Sequence, residues 1–498
     1  MNVNPITRLD YPDPDVIRVE DTYYMVSTTM HFMPGCEILQ SFDLVHWEHA
    51  TYVYETLDHT DAQQLKSGQN IYGQGMWAAS LRYHEGRFYI CFVANDTRKT
   101  YLYTSEKIDG PWKKQLIEGF YHDGSLLFDE DGRNYIVYGN DEIWITELNE
   151  DLTAPKKDGL HRLLVSDHKN PELGYEGSHI QKINGYYYIF LVHSLRDRWM
   201  RTEACFYSDS LEGEFTGGDV LCDDRGYCGQ GVAQGGIVDT PDGKWYAMLF
   251  QDSGAVGRIP ILLPVTWKDH FPFFGQNGHV PEEIEVHSTR PGYIYQPLVG
   301  SDDFCNGLLP RWQFNHDPDP RYYHLDALQG TYTITTREVC TELTQAVNTL
   351  TQRMSYPSCA AEVTVDASAL KDGDVAGLCA FQGCYAAVGI TKHHGKYEVL
   401  MLDKKEDGIL DMTEGTVVES HQMDFRLEAD FCNMKDEARC YYRVNKGDWL
   451  PIGTVHKLYF KLDHFTGCRF GLFCYAAEET GGSACFRDFK YYDVDEIS

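Results

Sequence analysis

Short strands with alternating polar and apolar residues recur through the first part of the chain, in pairs joined by tight turns. In one such pair, Glu176–Ile180 alternates, Asn184-Gly185 follows as a turn, and Tyr186–Phe190 continues as an aromatic strand. Two alternating runs joined by Asn-Gly, Asp-Gly or Glu-Gly are typical of a β-hairpin. The pattern therefore predicts an all-β structure for this region.

The same hairpin occurs five times before residue 295, at intervals of 46 to 64 residues. A repeat of this length is typical of propeller blades that contain about four strands each. Each copy has one conspicuous residue at the start of its first strand, and these lead residues are Asp13, Trp77, Asp123, Glu176 and Gln234. The sequence predicts a five-bladed β-propeller whose lead residues converge near the axis.

A second all-β unit is predicted after the repeats. Proline and glycine interrupt the chain at residues 288–292, and alternating strands with frequent cysteines follow. We place the boundary near residue 298, with the propeller at 1–298 and a β-sandwich of the jelly-roll or concanavalin-like type at 299–498. We expect this sandwich to be a structural partner that could lend a loop to the pocket. An independent sugar-binding module is the alternative.

The formal net charge of -32 excludes polyanions as expected partners. Such a chain repels nucleic acid and anionic membrane surfaces, and we expect a neutral or cationic ligand. The sequence contains no stretch of about 18 apolar residues, so it does not predict a membrane span. No basic segment followed by an apolar one is visible at the N-terminus, which favours a cytoplasmic location. The 15 cysteines lack paired zinc spacings and are interpreted as reduced core thiols. The oligomeric state is left open.

The five lead residues would bring three carboxylates, an indole and an amide together near the axis. Burying unpaired carboxylates in an apolar core costs free energy, so a purely structural role is disfavoured. A single acid more often caps a turn or pairs with a surface lysine, but the equivalence of five positions favours a shared pocket. Glycoside hydrolysis uses one carboxylic acid as proton donor and a second carboxylate to activate water. A third nearby acid can raise the pKa of the donor. A tryptophan face, an amide and Arg258 would bind the sugar.

Five ordered motifs resemble those of glycoside hydrolase family 43. They are Tyr11–Val16, Met76–Ala78, His122–Leu126, Tyr175–Ile180 and Gly257–Pro260. The match covers about residues 4 to 295, and the remainder is similar to the C-terminal β-sandwich of the family's β-xylosidases. The resemblance implies a five-bladed propeller with inverting chemistry.

Carried over residue by residue, the resemblance assigns a role to each acid. Asp13 matches the general base, Glu176 the general acid, and Asp123 the residue that raises the pKa of the acid and orients it. Trp77 and Arg258 match residues that hold the terminal pentose. The carboxyl groups of the base and the acid are expected roughly 6.5 to 9.5 Å apart, which leaves room for water.

Three further residues complete the expected substrate site. Met30 falls where the family's xylosidases place an aromatic residue beside the sugar, and Phe32 lies in the same loop, which we expect to cross the pocket mouth. Gln234 stands where many members carry a histidine near the axis, sometimes with a divalent ion. No cofactor is expected to be required, and a structural calcium ion at the axis is the one metal considered.

The resemblance implies exo-acting release of terminal β-D-xylosyl units from xylo-oligosaccharides. An α-L-arabinofuranosidase, or a bifunctional enzyme acting on arabinoxylan fragments, is the alternative within the family. A carbohydrate-binding propeller without catalysis is the alternative from another functional class.

Overall fold

Five antiparallel sheets of four strands each form the first part of the chain in the computed structural model, which describes residues 2–461 and 466–494. The sheets follow one another along the chain as the blades of a propeller, so the predicted all-β, five-bladed architecture is confirmed. The first segment contains β1 (Asn2–Val3), β2 (Asp15–Val19), β3 (Thr22–Ser27), β4 (Phe32–Met33), β5 (Gly35–Ser41) and β6 (Glu48–Tyr54), of which β2, β3, β5 and β6 form blade 1.

The other four blades each consist of four consecutive strands. Blade 2 contains β7 (Met76–His84), β8 (Arg87–Ala94), β9 (Lys99–Ser105) and β10 (Lys113–Ile117). Blade 3 contains β11 (Ser125–Phe128), β12 (Asn134–Asn140), β13 (Glu142–Leu148) and β14 (His161–Ser166). Blade 4 contains β15 (Glu176–Ile183), β16 (Tyr186–Ser194), β17 (Arg201–Ser208) and β18 (Thr216–Leu221). Blade 5 contains β19 (Ala233–Asp239), β20 (Trp245–Asp252), β21 (Arg258–Lys268) and β22 (Phe271–Phe274), and β23 (Glu283–Ile284) then pairs with β1.

Two larger sheets form the second unit, as the predicted β-sandwich requires. One runs in the order β32-β31-β30-β29-β37-β27-β24-β4, with β33 on β31, and the other in the order β25-β26-β38-β28-β34-β35-β36. Their strands are β24 (Gln313–Asn315), β25 (Tyr323–Asp326), β26 (Thr331–Thr335), β27 (Leu350–Arg353), β28 (Ser358–Asp366), β29 (Asp374–Phe381), β30 (Ala386–His393), β31 (Lys396–Lys404), β32 (Leu410–Met412), β33 (Thr416–Val418), β34 (Gln422–Asp430), β35 (Glu437–Arg443), β36 (Leu450–Lys457), β37 (Arg469–Ala476) and β38 (Ser483–Asp493).

Alternation along the strands explains the core of the sandwich. In β34, Met423, Phe425 and Leu427 are buried in the core, while Asp424 and Arg426 lie on the outer face. Successive side chains of a strand point to opposite faces, so one face of the sheet is apolar and the other polar. Helical structure is limited, among the described residues, to the short 3-10 turns Lys66–Gly68, Gly254–Val256, Leu343–Gln345 and Cys432–Met434. None of these could span a membrane.

A propeller loop supplies the edge strand of the sandwich. Strand β4 pairs with β24, so that Phe32 lies opposite Asn315. The Phe32 ring is 1% exposed and packs 3.5 Å from the Arg469 guanidinium of the sandwich. This corrects the prediction that Phe32 contacts substrate, because backbone pairing turns the residue into the core between the two units.

Buried ion pairs also join the two units. Glu37 of blade 1 forms a 2.8 Å ion pair with Arg353 of the sandwich, and the Arg353 Nε donates to the backbone carbonyl of Asp10. Both partners are almost fully buried, so breaking one of them would leave an uncompensated charge in the interior. The sandwich is therefore fixed against the propeller next to the segment that leads to Asp13.

Candidate active site

The five lead residues occupy equivalent places in the five blades. Asp13 and Asp123 precede β2 and β11, Glu176 begins β15, and Trp77 and Gln234 are the second residues of β7 and β19. The innermost strands β2, β7, β11, β15 and β19 contact one another in a ring around the axis. The repeat equivalence seen in the sequence therefore corresponds to radial convergence in the structure.

Left-handed backbone conformations turn several of these residues toward the axis. The φ angles are 52° at Asp13, 47° at Asp123 and 65° at Gln234, and Gly177, which follows Glu176, has a φ of 65°. Such angles are uncommon for residues other than glycine and cost roughly 1 to 3 kcal/mol each where the surroundings enforce them. A Cβ on Gly177 would lie 2.8 Å from the Gln234 Cγ, so a side chain is excluded there.

Asp13 has both carboxylate oxygens engaged. Thr28 Oγ1 donates to its Oδ2 at 2.7 Å, and Arg258 Nη1 donates to its Oδ1 at 2.7 Å. Arg258 also bonds Asp252 through Nε at 3.2 Å. A bidentate set of donors of this kind fixes the orientation of a carboxyl group. The Asp13 side chain is therefore held in one orientation.

Glu176 and Asp123 are linked through their neighbours. The Asn140 side-chain amide donates to Glu176 Oε2 at 2.7 Å, and the backbone N–H of Gly177 donates to Asp123 Oδ2 at 2.9 Å. The His122 Nε2 lies 3.6 Å from Asp123 Oδ2 and 3.7 Å from Glu176 Oε2. Asn140 and His122 were not among the predicted site residues, although His122 lies inside the motif His122–Leu126.

His122 influences the protonation of the two carboxyl groups beside it, Asp123 and Glu176. The negative charge of Asp123 raises the pKa of His122 to about 9 despite burial, with a further contribution from Glu176. Burial is the main cause that raises the pKa of Asp123 to about 6; the attraction of His122 opposes this rise, and the negative charges of Glu176 and Asp13 add to it. Burial also opposes the ionisation of Glu176, but the charge and proximity of His122 overcome it and lower the pKa of Glu176. The imidazolium thus lies between two carboxyl groups at neutral pH.

This order of pKa values differs from the expected one. We expected Asp123 to raise the pKa of the general acid, whereas in the structure it is Asp123 whose pKa is raised and Glu176 whose pKa is lowered. The physical reason is that His122 neutralises the charge of Asp123 at close range and also attracts Glu176. The role of Asp123 during turnover stays a prediction.

Arg201 is a third site residue to which the sequence pattern gave no role. It begins β17, forms an ion pair with Asp252, and places its guanidinium 5.1 Å from the Trp199 ring and 5.3 Å from the Phe250 ring. Its charge contributes to the lowered pKa of Glu176. No motif surrounds it in the sequence, and only the pairing of β17 with β16 brings it to the site.

The other predicted substrate residues differ in their accessibility. The half-buried Trp77 ring lies edge-on to His122, with centroids 5.8 Å apart, and so forms a wall beside the acid trio. Gln234 is buried and its backbone N–H donates to Glu203 at 2.7 Å. Met30 is fully buried, and its backbone bridges to Met76 at the start of blade 2. The Met30 side chain is therefore not exposed to solvent.

The resemblance suggested a calcium ion at the axis, and the oxygens of the inner strands there surround an arginine, Arg82. Arg82 Nη1 donates to Asp15 Oδ2 at 2.7 Å, and His179 Nδ1 lies 3.1 Å from Asp15 Oδ1. The same guanidinium also donates to the backbone carbonyls of Leu126 and Ile180. Carboxylate and carbonyl oxygens are the ligands that calcium prefers, and here a cation of the chain already uses them. These residues do not fit a divalent ion.

His122, Asp123 and Glu176 are the set in the described part of the chain whose metal-ligating atoms all lie within 4.8 Å of one another. A histidine binds a metal through a neutral nitrogen. Because the pKa of His122 is raised to about 9, its imidazole is protonated at neutral pH. The three side chains are therefore held together at neutral pH by the attraction between an imidazolium and two carboxyl groups.

Comparison with known proteins gives two family matches. The model for glycosyl hydrolases family 43 matches residues 3–272, and the model for the β-xylosidase C-terminal concanavalin A-like domain matches residues 301–492. A protein named β-xylosidase from Formosa agariphila is 26% identical over 99% of this chain and 89% of its own length. A xylosidase/arabinosidase from Butyrivibrio fibrisolvens is 24% identical over 99% of both chains.

Solved structures give the same fold. A chain described as bifunctional GH43-CE from Bacteroides eggerthii has a TM-score of 0.91 and 41% identity over all of this chain, which spans 64% of that longer one. An engineered GH43 enzyme described as having both endo-xylanase and exo-arabinofuranosidase activity has a TM-score of 0.88 and 27% identity over 99% of both chains. With its propeller, its acid trio and a family model that matches more than half of its length, this chain belongs to glycoside hydrolase family 43.

Proposed function

We propose that this protein releases terminal β-D-xylosyl units from the non-reducing ends of xylo-oligosaccharides, with inversion at the anomeric carbon. The observation that carries the proposal is the meeting of an ion-paired Asp13 with Glu176 and Asp123 at one end of the propeller axis. Asp13 comes from blade 1, Asp123 from blade 3 and Glu176 from blade 4. The names of the relatives, β-xylosidase and xylosidase/arabinosidase, support the choice of a pentose.

Asp13 and Glu176 each have one part in the reaction. Asp13 takes a proton from a water molecule, whose oxygen attacks the anomeric carbon from the face opposite the glycosidic bond. The bond between the anomeric carbon and the leaving oxygen breaks, and protonated Glu176 transfers its proton to that oxygen. Thr28 and Arg258 hold the base in place, and Asn140 holds the acid. The products are xylose of inverted configuration and a shortened oligosaccharide.

The proton for Glu176 is available from its neighbours. His122 is protonated below a pH of about 9, and Asp123 holds its proton up to a pH of about 6. Both groups lie next to the acid and are largely buried, and a bound oligosaccharide would exclude more water from them. Loss of water disfavours the ionised form of a carboxyl group, so substrate binding favours protonated Glu176.

Limited access to the acids supports exo action. The side chains of Asp13, Asp123 and Glu176 are only 4%, 6% and 19% exposed. Phe460 of the sandwich lies 5.8 Å from the Arg258 guanidinium, so the second unit narrows the same region. Largely buried acids of this kind are reached more readily by the end of a chain than by its middle.

Release of α-L-arabinofuranosyl units is the second candidate. Relatives of this chain carry the names xylosidase/arabinosidase and non-reducing end α-L-arabinofuranosidase. The two pentoses can present similar hydroxyl positions to one pocket, so a single site could accept both. The same acids would act on either sugar.

An NMR time course on xylobiose and on arabinoxylan fragments tests these proposals, because it reports the sugar, the linkage and the anomer released first. We expect α-xylose as the first product and a higher kcat/KM on nitrophenyl β-xyloside than on nitrophenyl α-arabinofuranoside. The reverse ratio would favour the second candidate. Glu176→Gln is the control, and turnover that is unchanged by it would indicate a propeller without this catalysis.

A further inference from the structure

The outer face of the seven-stranded sheet contains a groove of about 740 Å³. It lies on the sandwich, and the catalytic groups lie on the propeller. Strands β28, β34, β35 and β38 and the loop after β35 supply its lining. Cavities that bind small molecules are typically about 300 to 1,000 Å³ in volume. The groove is therefore large enough for a ligand of several sugar units.

Most acidic groups in the groove are already neutralised by arginines of the same sheet. Asp424 accepts from Arg443 Nε at 2.8 Å and from the Thr364 hydroxyl at 2.6 Å. Glu362 accepts from Arg426 Nη1 at 2.6 Å. These cross-strand pairs neutralise two carboxylates and two arginines. They do not neutralise the charges of the other residues that line the groove.

The remaining cations have no such partners. Arg487, Lys446 and Lys490 line the groove and form no ion pair with any residue that the structure describes. The half-buried Arg487 has a buried Nε without a hydrogen-bond acceptor in the same part of the chain. Asp488 is the one further acid in the lining. The lining as a whole contains four cations, Arg443, Lys446, Arg487 and Lys490, and three acids, so the groove has a small excess of positive charge in a chain of net charge -32.

An unpaired, half-buried guanidinium is costly to desolvate unless an anion binds it. The planar fork of arginine matches a carboxylate, and lysine adds a point charge. Gln422, Asn445 and Thr364 supply neutral donors and acceptors of the kind that sugar hydroxyls use. The negative charge of the rest of the chain repels polyanions such as nucleic acid. It repels a ligand with a single negative charge much more weakly.

We propose that this groove binds an acidic oligosaccharide, with the carboxylate of a uronic acid unit on Arg487 and Lys490 and the neutral sugar units along the polar lining. The choice of a pentose backbone rests on the proposed function; the recognition of the carboxylate does not. The sandwich would then hold substituted fragments of the polysaccharide whose ends the propeller cleaves.

Isothermal titration of the full-length chain tests the proposal. Glu176→Gln serves as the background, so that ligands stay intact. The ligands are xylotetraose with one glucuronic acid substituent, plain xylotetraose, free glucuronate and inorganic phosphate. We expect the substituted oligosaccharide to bind at least about tenfold more tightly than each of the others, as one charge-assisted contact supplies. The advantage should decrease with added salt.

Variants locate the binding. Arg487→Gln or Lys490→Gln in the same background should reduce the affinity for the substituted oligosaccharide to that for xylotetraose. Lys435→Gln is the matched control, because Lys435 lies at the same sheet but pairs with Asp430 outside the groove. Lys490 is exposed, so its variant stays informative if the Arg487 variant fails to fold.

Three results would overturn the proposal. They are equal affinity for substituted and plain xylotetraose, an advantage that survives both groove variants, and equally tight binding of phosphate or free glucuronate, which would indicate a general anion site. Arg487→Gln with Glu176 intact should turn over nitrophenyl β-xyloside at the unmodified rate. Absence of that turnover in the unmodified protein would refute the proposed function and leave the groove result standing.

Discussion

Replacing Asp123 by asparagine should stabilise the protein at neutral and alkaline pH and at the same time impair turnover. The carboxyl group has a pKa of about 6 in the folded protein, against 3.8 for an ordinary aspartate, chiefly because it is buried. Its ionisation therefore favours the unfolded state. This destabilisation begins as the pH rises past 3.8 and is complete above about 6. Asparagine keeps the acceptor for the Gly177 N–H but carries no charge.

The magnitude follows from the pKa difference. A shift of about two units at about 1.4 kcal/mol each corresponds to about 3 kcal/mol at pH 8 and to almost nothing at pH 4. The pKa of about 6 for Asp123 already includes the attraction of His122. The free energy calculated from it therefore needs no separate contribution from the Asp123–His122 ion pair. We expect a stabilisation of up to about 3 kcal/mol at pH 8 that decreases steadily toward pH 4.

Urea unfolding at pH 4.5, 6 and 8, followed by tryptophan fluorescence, measures the effect. Glu212→Gln is the control, because it removes a carboxylate from an exposed turn and should show no comparable trend. A difference between Asp123→Asn and the unmodified protein that is the same at all three pH values would refute the reasoning. The kcat of Asp123→Asn should decrease about 10²- to 10⁴-fold, the range of a general acid–base contribution.

Two more predictions concern the charges around the acids. His122→Asn removes an imidazolium 3.7 Å from Glu176, an attraction of at most about 4 kcal/mol at an effective dielectric constant of about 20. The alkaline limb of the pH profile of kcat should therefore move to higher pH by about one unit or more, and an unmoved limb would exclude His122 from control of the acid. Prolonged dialysis against EDTA should leave the turnover rate unchanged, because Arg82 already satisfies the oxygens at the axis; a loss that calcium restores would contradict the reasoning.

The propeller and its lead residues could be predicted because their signals are local and repeated. Alternation, an Asn-Gly or Asp-Gly turn and a second alternating run define each hairpin within about a dozen residues. Five copies then imply that equivalent positions meet at one axis. Asp13, Asp123 and Glu176 were found in this way, without knowledge of any pairing between distant strands.

The remaining features depend on contacts between residues far apart in the sequence. Phe32 is an apolar loop residue, and only the pairing of β4 with β24, about 280 residues later, decides that it faces the sandwich. Arg82 lies within an alternating strand, and nothing in its own segment shows that it faces the axis. His122 was visible in its motif, but its charge follows from the two carboxylates beside it, which come from different blades.

The net charge of the site depends on its cations as well as on its carboxyl groups. Four carboxyl groups, Asp13, Asp123, Glu176 and Asp252, face three cations, His122, Arg201 and Arg258. The cluster is neutral when one carboxyl group keeps a proton, and a buried cluster resists any other state. The arginines therefore limit the number of protons that the site retains to the one that general acid catalysis needs.

Removing one of these cations should make the site retain a second proton. Arg201→Gln removes the guanidinium that pairs with Asp252. In the unmodified protein that guanidinium also lowers the pKa of Glu176. With less positive charge nearby, the carboxyl groups ionise at higher pH, so the general base becomes available only at higher pH. The acidic limb of the pH profile of kcat/KM should move upward, while Arg201→Lys, which keeps the charge, should retain most of the original limb. If Gln and Lys shift the limb equally, the effect comes from packing against Trp199 and Phe250, and the charge balance does not set the protonation of the site.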